Sequence, residues 1–404
     1  MSGDFLNLGL GYPAAPLLPR QQLAEAAQHR FSQDDLYFLQ YGDELGDPEL
    51  RRELAAFLTQ QYGCPVPQEQ LMISGGISQA LELVCDTLAQ PGDTILTEAT
   101  TYFLAPPIFA ARGLNLVPCP LEASGSEGGP ELAALEALVQ QYRPRFLYTI
   151  PAHHNPTGLS QSEERRRQIA QLAERYGFTI LADEVYQLLH FGPQSAPPYS
   201  CWVPGGQVIS LGTFSKILAP GLRVGWIHAR PETLERLAAN PTLLSGGGMN
   251  PLGAALVSSV LERGMASGLR DLRARLAEQA QALSSALHEF SQAGQPLEGT
   301  RWSEPEGGYF TWLHLPPNCL PPHWPLRPSK PASAFIPACA FRSLATRPTR
   351  RGFVLPFIRR QSCKRPCAAW QKRRGNCGQQ AKARSGWAAP RSATSAQADN
   401  PAGY

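Results

Sequence analysis

Lys216 is the only lysine among residues 1–329 of this 404-residue chain. Arginine is used freely in the same stretch: residues 1–317 hold 19 Arg and one Lys. Both serve as solvated surface cations, but only lysine can lose its proton and attack carbon, because guanidinium stays charged in proteins. On count alone, a nucleophilic amine and a retained surface charge fit equally well. The neighbours favour the amine. SLGTFSKILAPGLRVGW, residues 210–226, reads as a strand, a hydroxyl-rich turn, the lysine, Pro-Gly and an arginine. Two further polar constellations lie upstream, IPAHHNPTG at 150–158 and ILADEVY at 180–186. Asp183 follows Asn155 by 28 residues and precedes Lys216 by 33.

Such groups need rigid elements behind them. Short, mostly continuous apolar runs at 71–74, 94–97, 114–117, 146–150, 179–182, 208–211 and 224–228 predict strands buried on both faces. Amphipathic stretches at 78–89, 132–141 and 161–176 predict helices between them, the last opened by a Ser160/Glu163 capping box. The alternation predicts an α/β core with a largely parallel sheet. A long helical pattern at 269–293 and a strand at 307–315 begin a second, smaller unit.

Charge divides the chain. Residues 1–317 carry 20 basic and 32 acidic side chains, whereas residues 318–404 carry 16 basic and one acidic, Asp399. Residues 316–404 are rich in Pro, Arg, Ser and Cys and show no helix or strand period. An out-of-frame reading of GC-rich DNA accounts for this best, since the change falls within an apparent domain. A natural basic, disordered tail is the competing reading. Nine cysteines at no paired ligand spacing predict no metal site. The odd count and the lack of a secretory signal predict reduced thiols and a cytoplasmic protein. No apolar run reaches ~18 residues, so no membrane-spanning helix is expected.

The three constellations join three more: LQYGDELGDPELRREL at 39–54, SGGISQALELV at 74–84 and TEATTYF at 97–103. In this order, from about residue 7 to residue 315, the chain resembles the class I/II aminotransferases, the pyridoxal 5'-phosphate (PLP) enzymes of fold type I. A lone NPTG is weak, but NPTG, DEVY and SK at these spacings are specific. The resemblance implies an N-terminal arm (1–40), a large PLP-binding domain (41–260) and a smaller α+β domain (261–315, incomplete), followed by the unmatched tail (316–404). It implies that Lys216 carries the PLP aldimine and, once freed, moves the proton at the substrate Cα. A desolvated amine beside other cations has the lowered pKa this requires.

By the same resemblance, Asp183 pairs with the pyridine nitrogen, while Asn155 and Tyr186 hydrogen-bond the ring 3'-oxygen. Tyr102 stacks on the ring. Gly76, Ile77 and Ser78 offer N–H groups at a helix start to the phosphate, joined by Thr213, Ser215 and Arg223. The family usually has a hydroxyl at the position of Ile77. Tyr41 reaches the phosphate of a neighbouring subunit, which implies a homodimer, and Gly11 and Asn155 lie by the substrate. The competing structural readings are a cap for Asp183, a core aromatic for Tyr102, a surface tyrosine for Tyr41 and turns for Gly11 and Gly76. His153, His154 and Glu184 read as structural groups.

The expected function is amino-group transfer between an amino acid of 2-aminoadipate, aromatic or branched type and a 2-oxo acid such as 2-oxoglutarate. Other PLP chemistry, such as a β-lyase or decarboxylase, would share Lys216, Asp183 and Asn155. A non-catalytic regulator on this fold carries a helix-turn-helix unit first, and the pattern here starts within about ten residues of Met1. Nucleic acid is therefore not an expected partner. The family's arginine for the substrate carboxylate, in a C-terminal strand, has no counterpart after Trp312. The cofactor cradle reads as complete, and amino-acid turnover by the chain as weak.

Overall fold

The structure, a computed structural model, describes residues 11–122, 128–192, 195–295, 297–314 and 352–356. Helices α1 (Arg20–Phe31) and α2 (Pro48–Tyr62) precede the sheet. Asp47 caps α2 by accepting from Leu50 N, and Gly63 ends it in the left-handed region. The chain then alternates: β1 (Leu71–Ser74), α3 (Ile77–Leu88), β2 (Thr94–Glu98), α4 (Ala105–Ala111), β3 (Asn115–Cys119), α5 (Leu132–Tyr142), β4 (Phe146–Thr149), α6 (Glu163–Tyr176), β5 (Thr179–Asp183), β6 (Val208–Thr213) and β7 (Gly225–His228). Helices α7 (Pro231–Ala238), α8 (Pro241–Gly246), α9 (Pro251–Glu262) and the 26-residue α10 (Met265–Phe290) follow, then β8 (Phe310–His314) and β9 (Gly352–Pro356).

The seven strands form one sheet in the order β1-β7-β6-β5-β4-β2-β3. β7 pairs antiparallel with both β1 and β6, and every other pairing is parallel. Strand residues alternate between two cores. Phe146, Tyr148, Leu181 and Leu211 pack on one face with α2, α3, α9 and α10, whereas Leu147, Ile180, Ala182 and Val208 pack on the other with α5 and α6. Both faces are covered, which is why the strands read as unbroken apolar runs.

Beyond shifts at element ends, such as Met265–Phe290 for the helix expected at 269–293 and Phe310–His314 for the strand expected at 307–315, three details depart from the sequence reading. The N-cap of α6 is Ser162, accepting from Arg165 N, and Ser160 instead accepts from His153 N at 3.0 Å. Residues 316–404 contribute one strand after all: β9 pairs antiparallel with β8, matching Phe310 to Pro356 and His314 to Gly352. A ladder uses backbone groups, so it forms without a readable side-chain period. The rest of the tail, with the frameshift and disorder readings, lies outside the described residues. The thiols are not all reduced either: Cys64, just past α2, is bonded to Cys201, 137 residues on, while Cys85 and Cys119 are free and buried. Among the described residues no helix is long and apolar enough to cross a membrane, and no cluster of His, Cys, Asp or Glu could hold a metal ion.

Closing so long a loop restricts the unfolded chain. Cys64→Ser, or reduction, is expected to lower the unfolding free energy by about 2–4 kcal/mol. Urea unfolding with and without reductant measures this, and an unchanged midpoint would mean that the bond does not form in solution.

Candidate active site

The C-terminal ends of β4, β5 and β6 open on one small cavity of about 140 Å³. Its lining holds Ile77, Ser78, Tyr102, Asn155, Asp183, Tyr186, Thr213, Ser215, Lys216 and Arg223, together with Tyr12, Ile150, Val185 and Pro220. Two larger clefts, of about 680 and 670 Å³, contain neither Lys216 nor Asp183. The convergence of ionisable groups singles out the smaller one.

Asp183 ends β5 with its carboxylate buried. Oδ2 accepts from Tyr148 Oη at 2.6 Å, and Oδ1 has no partner among the described residues. Burial pushes its pKa up to about 6, against the lowering effects of the Tyr148 bond and the Lys216 charge. Lys216, three residues past the end of β6, donates from Nζ to Gly11 O at 2.8 Å and lies 5.8 Å from the Tyr186 ring centroid. Burial lowers its pKa to about 8, opposed by Asp183 and helped by Arg223. Both groups sit nearer neutrality than they would in water.

The remaining expected residues take their places around this pair. Asn155 Nδ2 donates to Tyr186 Oη at 3.4 Å. Burial and nearby Asp183 raise the pKa of Tyr186 well above its ordinary value, so the phenol keeps its proton. Tyr102 is shifted the same way by the same two causes. Thr213 Oγ1 lies 3.0 Å from Ser215 Oγ and accepts from Ser215 N at 3.1 Å. Arg223, at φ 51°, donates from Nη2 to Gly75 O at 3.0 Å and so lies over the start of α3. Gly76 caps that helix at φ 93°, and a Cβ there would meet Arg223 Nη2 at 2.9 Å. The angle requires glycine, and any side chain there would also push the guanidinium aside.

Three expected residues stay outside the lining, the first being Gly76, the cap of α3. Gly11 touches the site through its carbonyl, and Tyr41 is 81% exposed. His154 pairs with Glu98 at 2.9 Å, and burial holds His153 at about 3, so neither serves the cavity as an acid or base. Glu184 accepts from Tyr199 N, Ser200 N and Ser210 Oγ, a structural clamp. Sequence reasoning missed Tyr12 and Tyr148. Tyr148 reads as a core aromatic, and only the β4–β5 register, which sets it beside Leu181, puts it next to Asp183.

The residues present fit an aromatic pyridinium phosphate. Asp183 Oδ1 is a buried acceptor still able to take a donor. Lys216 can present a neutral amine. A helix N-terminus, two hydroxyls and a guanidinium converge where a phosphate would sit.

Comparison with known proteins agrees with this geometry. The family described as aminotransferase class I and II matches residues 4–342, further into the tail than residue 315. Aromatic-amino-acid aminotransferase 1 of Thermococcus litoralis is 31% identical over 78% of this chain and 75% of its own. The 2-aminoadipate transaminase of Thermus thermophilus is 34% identical over 77% and 75%. The crystal structure of alpha-aminoadipate aminotransferase from Thermus thermophilus, complexed with N-(5'-phosphopyridoxyl)-L-leucine, superposes with a TM-score of 0.68 at 33% identity, covering 77% of each chain. With the family matched over residues 4–342 and relatives above 30% identity over three quarters of the chain, this chain belongs to the class I and II aminotransferases.

Proposed function

We propose that this chain is a PLP-dependent aminotransferase using Lys216, with amino acids of the 2-aminoadipate, aromatic or branched kind as donors and a 2-oxo acid as acceptor. The observation that carries the reading is the fully buried carboxylate of Asp183, with one oxygen held and one open, in the same small cavity as a half-buried lysine. The aromatic and 2-aminoadipate classes follow the names of the relatives above, and the branched class follows the leucine conjugate in the solved structure. Bound there, PLP supplies an electron sink for charge developing at the substrate Cα.

The chain's own residues do the rest. Asp183 Oδ1 accepts from the ring nitrogen and holds a positive charge there. Asn155 and Tyr186 present donors to the ring's hydroxyl oxygen. Ser78, Thr213, Ser215, Arg223 and the N–H groups of Gly76 and Ile77 hold the phosphate, and Tyr102 covers the ring. Lys216 Nζ takes and returns the Cα proton, a task that suits an amine poised near neutral pH.

Tyr41 is exposed, as are Leu39, Leu244 and Leu252 around it, and Gly248 N bonds Gly42 O at 3.3 Å. An aromatic and three leucines left in water support a second subunit there, with Tyr41 reaching across to the partner's phosphate. The domain division at residues 40, 260 and 315 and the cytoplasmic location belong to the same reading.

Titration of the purified chain with PLP, followed by its visible absorbance, tests the proposal. Lys216→Ala is expected to abolish covalent capture and to cut the amino-acid half-reaction by about 10³-fold. Arg223→Ala is expected to weaken PLP binding by about 10–100-fold through loss of a charged phosphate contact. A parent chain that takes up no PLP would sink the reading.

The lysine also leaves a mark on stability. Its folded pKa of about 8 lies below the ordinary 10.5, so between these values the unfolded chain binds more protons and stability rises with pH. In the cofactor-free protein, the advantage of Lys216→Met over wild type is greatest below pH 8. It is expected to shrink by roughly 3 kcal/mol towards pH 10.5. Urea unfolding of both proteins across that range reads the difference, and a gap independent of pH would contradict a buried amine.

A further inference from the structure

Tyr309 has none of the roles above. It is 1% exposed and precedes β8, and its Oη donates to the backbone carbonyl of Lys216 at 2.8 Å. That carbonyl lies in the turn after β6, where Leu218 N and Ala219 N both bond Phe214 O. Among the described residues no backbone N–H reaches it, so the phenol satisfies a group that burial would otherwise leave unpaired. The next residue works on the other end of the lysine. Phe310 meets the Tyr186 ring edge-on at 5.6 Å and presses on Gly11, where a Cβ would collide with the ring. Gly11 O in turn accepts from Lys216 Nζ.

We propose that Tyr309 is a positioning residue that anchors the Lys216 main chain, fixing where Nζ is presented for covalent capture of PLP. The inference rests on the PLP reading above. Without the hydroxyl, the lysine turn is free to rotate its carbonyl towards water, and Nζ moves with it. Displacements of about 1 Å already slow well-oriented reactions. A phenylalanine fills the same space and removes only the donor.

The test uses the full chain and compares Tyr309→Phe with its parent in two backgrounds. With Lys216 present, capture of PLP is trapped with borohydride and read on the Lys216 peptide by mass. It is expected to slow about tenfold, the factor one ordinary hydrogen bond corresponds to. In a Lys216→Ala background, where PLP can bind only non-covalently, Tyr309→Phe is expected to leave its affinity unchanged. Equal losses in both backgrounds would show a general defect of the cradle and overturn the proposal, as would an unchanged capture rate. A second arm needs no cofactor: the pH midpoint for acylation of Lys216 by a small amine-reactive ester. Tyr309→Phe is expected to raise that midpoint as the amine gains water, and an unmoved midpoint counts against the anchor. A parent that takes no PLP fails the aminotransferase reading, yet this arm still decides the role of Tyr309.

Discussion

Burying the carboxylate of Asp183 costs desolvation that only a cation or a strong donor offsets. Tyr148 supplies one donor, to one of the two oxygens. Lys216 favours the charged carboxylate, and Asp183 in turn favours the charged amine. Neither succeeds fully, because both are desolvated, and the pair is displaced towards neutrality from both sides. The pair is therefore a local destabilisation held in place by the sheet. A ligand that brings a ring N–H to Oδ1 and a covalent partner to the amine relieves it, and such a ligand stabilises the fold in proportion to its affinity and concentration.

That arrangement needs the topology it has. Parallel strands β4, β5 and β6 deliver Asn155, Asp183 and the Thr213–Lys216 turn to one edge, the crevice outside the carboxyl ends where α/β sheets bind ligands. Arg223 comes from a different device. β7 turns back antiparallel between β6 and β1, so the turn after Lys216 returns over the start of α3. There Arg223 meets Gly75 O, and Gly76 must lack a Cβ. Lys216 and Arg223 are thus fixed relative to each other by seven residues of chain.

The seven strands of the main sheet were legible to within a residue or two because two-sided burial leaves uninterrupted apolar runs. That Asp183, Asn155, Tyr186, Lys216 and Arg223 share one cavity was legible because ordered motifs bring them to one sheet edge without any side-chain register. What escaped depends on register or on long-range contact. Tyr148 is one apolar-looking residue in a strand until β5 is set beside it. Cys64 and Cys201 are scattered thiols until α2 meets the turn at Tyr199–Trp202. Tyr309 lies 93 residues from the carbonyl it serves. The α6 cap differed by two residues because Ser160 and Ser162 are both competent, and the His153 amide claims the first.

β9 sharpens what the basic tail can and cannot contribute. A two-stranded ribbon is marginal alone, so β8 and β9 depend on the body. Phe310 supplies the link through Gly11 and Tyr186, and Tyr309 supplies it through Lys216. Pairing along β8 asks only for backbone N–H and C=O groups, which a segment of almost any composition offers unless proline interrupts it. Residues 352–356 meet that demand within a basic, Pro- and Arg-rich stretch of sequence. Binding a substrate carboxylate asks for more: a guanidinium at one place in one strand. The cofactor cradle rests on the tolerant requirement and the substrate clamp on the strict one. The two requirements can therefore fail separately.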